Sequence, residues 1–116
     1  MANGHVLSVD LVEHIANVAA WLDRHDDDSD LTPMTCQSLR ILKVSEEAGE
    51  VARAWIGATG QNPRKGFTHT SGDVVNELAD VVLAALVAIH SLGDDPAAAV
   101  HDRMVETAKR LRDGSA

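Results

Sequence analysis

Apolar residues recur near the start of the chain at Leu7, Leu11, Ile15, Val18 and Leu22, at spacings of four and three, while Asp10, Glu13 and Asn17 fall off that stripe. The pattern predicts a helix from about Ser8 to Arg24. The run Asp26-Asp27-Asp28-Ser29-Asp30 is a poor continuation of it, since neighbouring like charges repel, and residues 26–32 read as a solvated acidic linker. They lack the alternating ligands, central glycine and closing glutamate of a calcium-binding loop. Thr32 can cap a second helix with Pro33 at its first position. That helix is expected to start near Thr32 or Thr35 and reach about Ile56, with Leu39, Leu42, Val51 and Trp55 as core candidates.

Gly57, Gly60, Asn62, Pro63 and Gly66 then fall within ten residues, so 57–72 reads as a loop. A third helix is expected from Ser71 or Gly72 to Leu92. Val74, Leu78, Val81, Val82, Ala85 and Ile89 give it an apolar surface broad enough to be covered on more than one side. Gly93 stops it, Asp95 and Pro96 open a fourth helix over Ala97 to about Arg112, and Gly114-Ser115-Ala116 is expected to fray. The expected fold is all-α: one four-helix bundle module over residues 1–116, with no repeat and no interdomain linker.

Length and composition agree with that picture, since 116 residues can close around one core and aromatic residues are only 3% of the chain. The net charge of -8 excludes a broad basic footprint for a nucleic acid polymer and disfavours an anionic membrane surface. A phosphate-bearing small molecule is still admissible, because a bound cation inverts the local field. Cys36 is the single cysteine and excludes an intrachain disulfide. The first helix has no signal-peptide pattern, and the longest uncharged stretch, Val81 to Ile89, is half a membrane span, so a cytoplasmic location is expected.

Five acids carry the chemistry. Glu46, Glu47 and Glu50 sit in the second helix, and Glu77 and Asp80 interrupt the apolar third. At roughly 100 degrees per residue, Glu77 and Asp80 project within about 60 degrees of one another. Glu50 shares a face with either Glu46 or Glu47, and spacing alone leaves that choice open. If the two helices pack antiparallel about the 57–72 loop, their acidic turns meet and supply oxygen ligands of the kind magnesium or manganese accepts. A carboxylate at a helix seam needs such compensation, although ordinary solvated acids account for the first block equally well.

The runs Lys43-Val44-Ser45-Glu46-Glu47-Ala48-Gly49-Glu50-Val51-Ala52 and Asn76-Glu77-Leu78-Ala79-Asp80-Val81-Val82 resemble the MazG-like group of all-alpha nucleoside triphosphate pyrophosphohydrolases, over about residues 35–112. That family carries an E-x-x-E motif followed by E-x-x-D on the next helix. The resemblance selects Glu47, Glu50, Glu77 and Asp80 as ligands for Mg2+, or Mn2+, and leaves Glu46 as a neighbouring base or water-positioning group. It implies cleavage of a nucleoside triphosphate to monophosphate and pyrophosphate, in a homodimer or homotetramer. Phosphoribosyl-ATP hydrolysis and a non-catalytic helical regulatory role are the alternatives.

Lys43, one turn before Glu47, is a candidate phosphate contact or a surface ion-pair partner of Glu46 or Glu47. Arg64 and Lys65 lie in the glycine-flanked loop and can close over a polyphosphate. Arg103 can add charge from the fourth helix. Phe67 is a candidate for stacking on a base, and Trp55 reads as core. His69 and His90 have no spaced partner for zinc and read as a surface contact and a hydrogen-bonded interior residue. Gly49, which costs about 1 kcal/mol in a helix relative to alanine, is expected to admit a neighbouring helix or a ligand.

Overall fold

A computed structural model describes residues 6–114, so Ser115 and Ala116 of the expected tail lie outside the described residues. Four helices form: α1 (Val9–Asp27), α2 (Pro33–Thr59), α3 (Ser71–Ser91) and α4 (Pro96–Arg112), with no strand among the described residues. A side chain caps each start. Ser8 accepts from the Leu11 amide, Thr32 from Thr35, Thr70 from Asp73, and Asp95 from Ala97 and Ala98. Such caps satisfy donors that a first turn leaves unpaired, at about 1 kcal/mol each. At Thr70 the bond is reciprocated, since Asp73 Oδ2 accepts from the Thr70 amide at 2.9 Å. That amide holds the Asp73 carboxyl below its ordinary range and fixes the start of α3.

Helix α1 extends through Asp27 instead of ending at Arg24, so the linker shrinks to the residues after it. The cause is Arg40 of α2, whose Nη2 lies 2.6 Å from Asp26 Oδ2 and 3.1 Å from Asp23 Oδ1. Burial alone would raise the Asp26 carboxyl. Hydrogen bonds from Arg40 and Cys36, with the guanidinium charge, outweigh burial and hold it below the usual range. A neutralised aspartate can continue a helix that a bare acidic run would end. At the other break, α2 runs to Thr59 and stops at Gly60, whose φ of 65° is the left-handed cap that glycine adopts freely.

The core is small. Ile15 of α1 packs with Leu86 and Val87 of α3, and Leu7, Leu11, Val18, Leu22, Leu83 and Val100 close around them, so the stripe expected on α1 is the one that faces inward. Helix α3 is central, packing most extensively on α2, then on α1, then on α4. Its apolar surface is covered on more than one side, as its breadth predicts, but Leu78 and Val82 remain exposed.

Helix α2 overturns the expectation for its core. Leu39, Leu42 and Trp55 are exposed, Trp55 by 57%, and the residues buried from this helix are Cys36, Arg40, Ala54 and Gly57. Those four, with Lys43, Glu47 and Glu50 between them, repeat at spacings of four and three and form one stripe. Helix α2 therefore turns small and charged residues inward and large apolar ones outward. The consequence is an open molecule with a radius of gyration of 17.5 Å, against about 13 Å for a compact chain of roughly this length. Its accessible surface is 8193 Å², where a compact monomer of this mass exposes about 6,100 Å². No helix among the described residues is long and apolar enough to cross a membrane.

Arg40 is the charged tie between α1 and α2, which make little backbone contact with one another. Replacing Arg40 by alanine should cost about 2 kcal/mol, because half-buried Asp26 loses its cation. Asp23→Asn, at an exposed carboxylate, should cost under about 0.5 kcal/mol. Urea unfolding at fixed protein concentration measures both, and equal losses would contradict the central role of the Asp26 pair.

Candidate metal centre

The antiparallel register of α2 and α3 is fixed at both ends. Gln37 Nε2 donates to the Ser91 carbonyl at 3.1 Å, and the Thr68 amide donates to the Gly57 carbonyl at 3.0 Å. The second contact needs Gly57: a Cβ there would collide with His69 Nδ1 and Thr68 Oγ1. Between these fixed points the two acidic turns come to the same height.

Carboxylate oxygens of Glu47, Glu77 and Asp80 lie within 4.8 Å of one another, and so do those of Glu46, Glu47 and Glu50. The five acids thus form two overlapping triads that share Glu47. Glu47 and Glu77 are half-buried, whereas Asp80 and Glu46 are exposed. Glu47 Oε2 and Glu77 Oε2 are both shielded from solvent and have no hydrogen-bond partner. Burial, then the charge of Glu50, a hydrogen bond with Glu50 and the charges of Asp80 and Glu47 push the Glu77 carboxyl above its ordinary value.

Lys43 supplies the nearest positive charge, with Nζ 3.0 Å from Glu46 Oε1 and 3.3 Å from Glu47 Oε1. Its hydrogen bonds to Glu46 and Glu47 raise its pKa. One ammonium against five carboxylates leaves the cluster strongly negative. A divalent cation fits this donor set on two counts. The ligands are all oxygen, the class that magnesium and manganese accept. In addition, two buried carboxylate oxygens have no other partner, which is costly without a cation.

Lys43, Glu47 and Asp80 also line a cavity of about 570 Å³ between α1, α2 and α3, whose walls include Ile15, Val18, Leu22, Leu83 and Val87. Asp26, Cys36 and Arg40 line it as well. Burial, followed by the hydrogen bond to Asp26, pushes the Cys36 thiol up. Lys65 lines a different cavity, beside Arg53 and His69. Arg64, Phe67 and Arg103 are exposed and contribute to neither. The Phe67 ring lies against Gly60 instead.

Two expectations, for His90 and Gly49, need correction, and the one for His69 does not. His90 is exposed, not interior, because it falls on the outer side of the last turn of α3. His69 bonds the neighbouring Thr68 hydroxyl at 2.9 Å. Gly49 admits no neighbouring helix of this chain, since a Cβ there would meet nothing within 4 Å. The pattern reading also missed Arg40 and Arg53. Arg40 had a readable signal, standing seven residues before Glu47 on the same inward stripe. Arg53 had none, because the approach of the 60–70 segment to α2 is a tertiary event.

A carboxyl raised by its surroundings binds its proton more readily folded than unfolded. Its contribution is complete below the ordinary glutamate value of 4.5 and is lost as pH rises through the raised value. Asp26 and Asp73 are lowered from 3.8 and act only below that range. Chelator-treated protein should therefore melt higher at about pH 5 than at about pH 7. Glu77→Gln should flatten that slope, and Mn2+ should raise the melting temperature at pH 7 in the wild type but much less in the variant. Identical profiles for the two proteins in thermal melts would refute this account of Glu77.

In comparisons with family models, curated proteins and solved structures, nothing matches this chain significantly. The all-α four-helix bundle is consistent with the MazG-like resemblance only at the level of fold.

Proposed function

We propose that this chain is a divalent-cation-dependent hydrolase of nucleoside triphosphates that cleaves the anhydride bond between the α- and β-phosphates. The observation that carries the reading is the pair of buried, unpartnered oxygens on Glu47 and Glu77, close to Asp80, with Glu47 and Asp80 lining a cavity. The likeness of the two acidic runs to the MazG-like motifs supports the same reaction.

Glu47, Glu77 and Asp80 would hold Mg2+ or Mn2+, with Glu50 and Glu46 completing the second triad. When bound, such an ion neutralises phosphate oxygens and acidifies water. The chain's residues do the rest. The cavity of about 570 Å³ is in the usual range for small-molecule sites, and its aliphatic walls hold the nucleoside and keep bulk water from it. Lys43, already at the acidic turn, exchanges a carboxylate contact for a phosphate oxygen when substrate enters. Glu46, exposed at the rim, takes the proton of the attacking water. One water is consumed, the bridging P–O bond breaks, and the electron pair leaves with pyrophosphate.

We also propose that the chain acts as a homodimer or homotetramer. Its surface exceeds that of a compact monomer by about 2,000 Å², more than the roughly 800 Å² that each partner buries in a standard interface and in the range of obligate assemblies. On α3, Val75, Leu78 and Val82 form an exposed apolar stripe on the helix that is otherwise the most covered.

Pyrophosphate release from a panel of nucleoside triphosphates should depend on Mg2+ or Mn2+. Glu77→Gln and Asp80→Asn should each lose on the order of 100-fold in kcat/KM. Folded protein with no metal-dependent product across the panel overturns the hydrolase reading, and full activity in both variants overturns the ligand assignment. Light scattering should give a dimer or tetramer mass, and Val82→Glu should lower it to the monomer.

A further inference from the structure

Helix α4 is patterned to lie on a surface that the single chain does not offer it. Val100, near its start, packs against the core of Ile15, Leu86 and Val87, yet every residue from His101 to Gly114 is exposed. The apolar stripe continues outward all the same. Val100, Met104, Ala108 and Leu111 recur at spacings of four, four and three on one face, and Met104 and Leu111 stand in solvent. The uncovered stretch of the helix, residues 101–112, falls at the length of about 12–15 residues below which a helix is marginal on its own in water.

Helix α3 carries the mirror of that stripe. Leu86 belongs to the core, and Val82, Leu78 and Val75 follow it toward the N-terminus at spacings of four, four and three, all three of them exposed. Two antiparallel helices with these spacings present their apolar residues in pairs: Leu86 with Val100, Val82 with Met104, Leu78 with Ala108 and Val75 with Leu111. Within one chain the match begins at the core and goes no further. Met104 and Leu111 are exposed along with Val82 and Val75, and α4 packs less extensively on α3 than α1 or α2 does.

Charge favours a second copy of the chain as the cover. At about 100 degrees per residue, Arg103 and Arg110 fall along one edge of the α4 stripe and Arg112 along the other, whereas Asp102 and Glu106 fall opposite it. Arg110 also reaches Glu106, one turn back, at 4.0 Å. With four basic residues against two acids, α4 leaves six basic and sixteen acidic side chains to the rest of the chain. A basic-edged apolar helix thus complements an acidic body, and the surplus of exposed surface is of the size that an interface between copies removes.

We infer that α4 of each copy lies antiparallel along α3 of another copy, Met104 against the partner's Val82 and Leu111 against the partner's Val75. The arm exchange is reciprocal, so it closes on itself as a two-fold contact and covers both stripes at once. The inference rests on the reading of the chain as a homo-oligomer and names the contact that makes it. It does not depend on the hydrolase reading.

Treating the double variant Val82→Cys with Met104→Cys with a short bifunctional thiol reagent tests it, read by intact mass under denaturing conditions. A covalent dimer is expected. A monomer bridged between its own two thiols, or no bridge at all, overturns the arm exchange. Cys36 is buried, so neither single variant should crosslink, and a dimer from Val82→Cys or Met104→Cys alone would join like stripes and overturn the pairing. Hydrogen exchange supplies the second readout. Amides of residues 101–112 should be protected in the wild type and lose that protection in Val82→Glu, the variant expected to be monomeric. Protection that survives in monomeric Val82→Glu overturns the inference. A wild type that is oligomeric by light scattering but exchanges freely over α4 overturns the arm exchange and leaves the oligomer standing, and a monomeric wild type overturns both.

Discussion

Negative charge placed in the seam between α2 and α3 is the constraint from which the rest of the molecule follows. Glu47 and Glu77 enter a contact between two helices, and each keeps one solvent-shielded oxygen with no partner. An unpaired buried polar atom costs on the order of 1–3 kcal/mol, and more when the group is charged. Lys43 offsets part of that from the edge of the cluster, while neither shielded oxygen finds a hydrogen-bond partner among the described residues. The seam can hold such a strained cluster because its ends are rigid. Gly57 admits Thr68 and His69 of the connecting segment at one end, Gln37 bonds across at the other, and the reciprocal cap at Thr70 fixes the start of α3.

Devoting the inward stripe of α2 to acids and small residues displaces its large apolar side chains. Leu39, Leu42 and Trp55 go to the outer surface, and the buried apolar core is left to Ile15, Leu86 and Val87 with a ring of partly covered neighbours. A core of that size is thin for 116 residues. The excess surface and the unpartnered acids therefore share an origin, and under the proposed reading a cation completes the one and another copy of the chain covers the other. Site and assembly share one cause, the composition of a single helical face.

The bundle was legible in the sequence because its signals are local. Thr32 with Pro33 and Asp95 with Pro96 mark helix starts through bonds within one turn, and Gly60 marks an end through its own φ. The α1 stripe from Leu7 to Leu22 was legible for the same reason. Where the pattern misled, a distant partner decided the outcome. Asp26 is helical only because Arg40, fourteen positions away, neutralises it. The apolar residues of α2 looked like core because hydrophobicity is normally what faces inward, and here a stripe of small and charged residues took that face. The acids themselves were legible as pairs on helix faces, whereas the sharing of Glu47 between two triads depends on a register that no single helix contains.

Under the proposed reading an acidic protein has to handle a polyphosphate, and the arrangement of charges bears on how that electrostatic difficulty is resolved. Repulsion from the net charge of -8 is screened beyond about 8 Å at physiological ionic strength, so the bulk of the chain hardly hinders approach. The obstacle is local: five carboxylates, two of them shielded from water, at the place the phosphates must occupy. Within that radius water no longer screens well and the sign of the site has to change before the anion arrives. Lys43 pairs with Glu46 and Glu47 and offsets only part of that charge. Under the proposed reading the cation does the neutralising, so cation and polyphosphate each raise the affinity of the other by the same factor. Lys43 then orients the phosphates instead of attracting them from a distance.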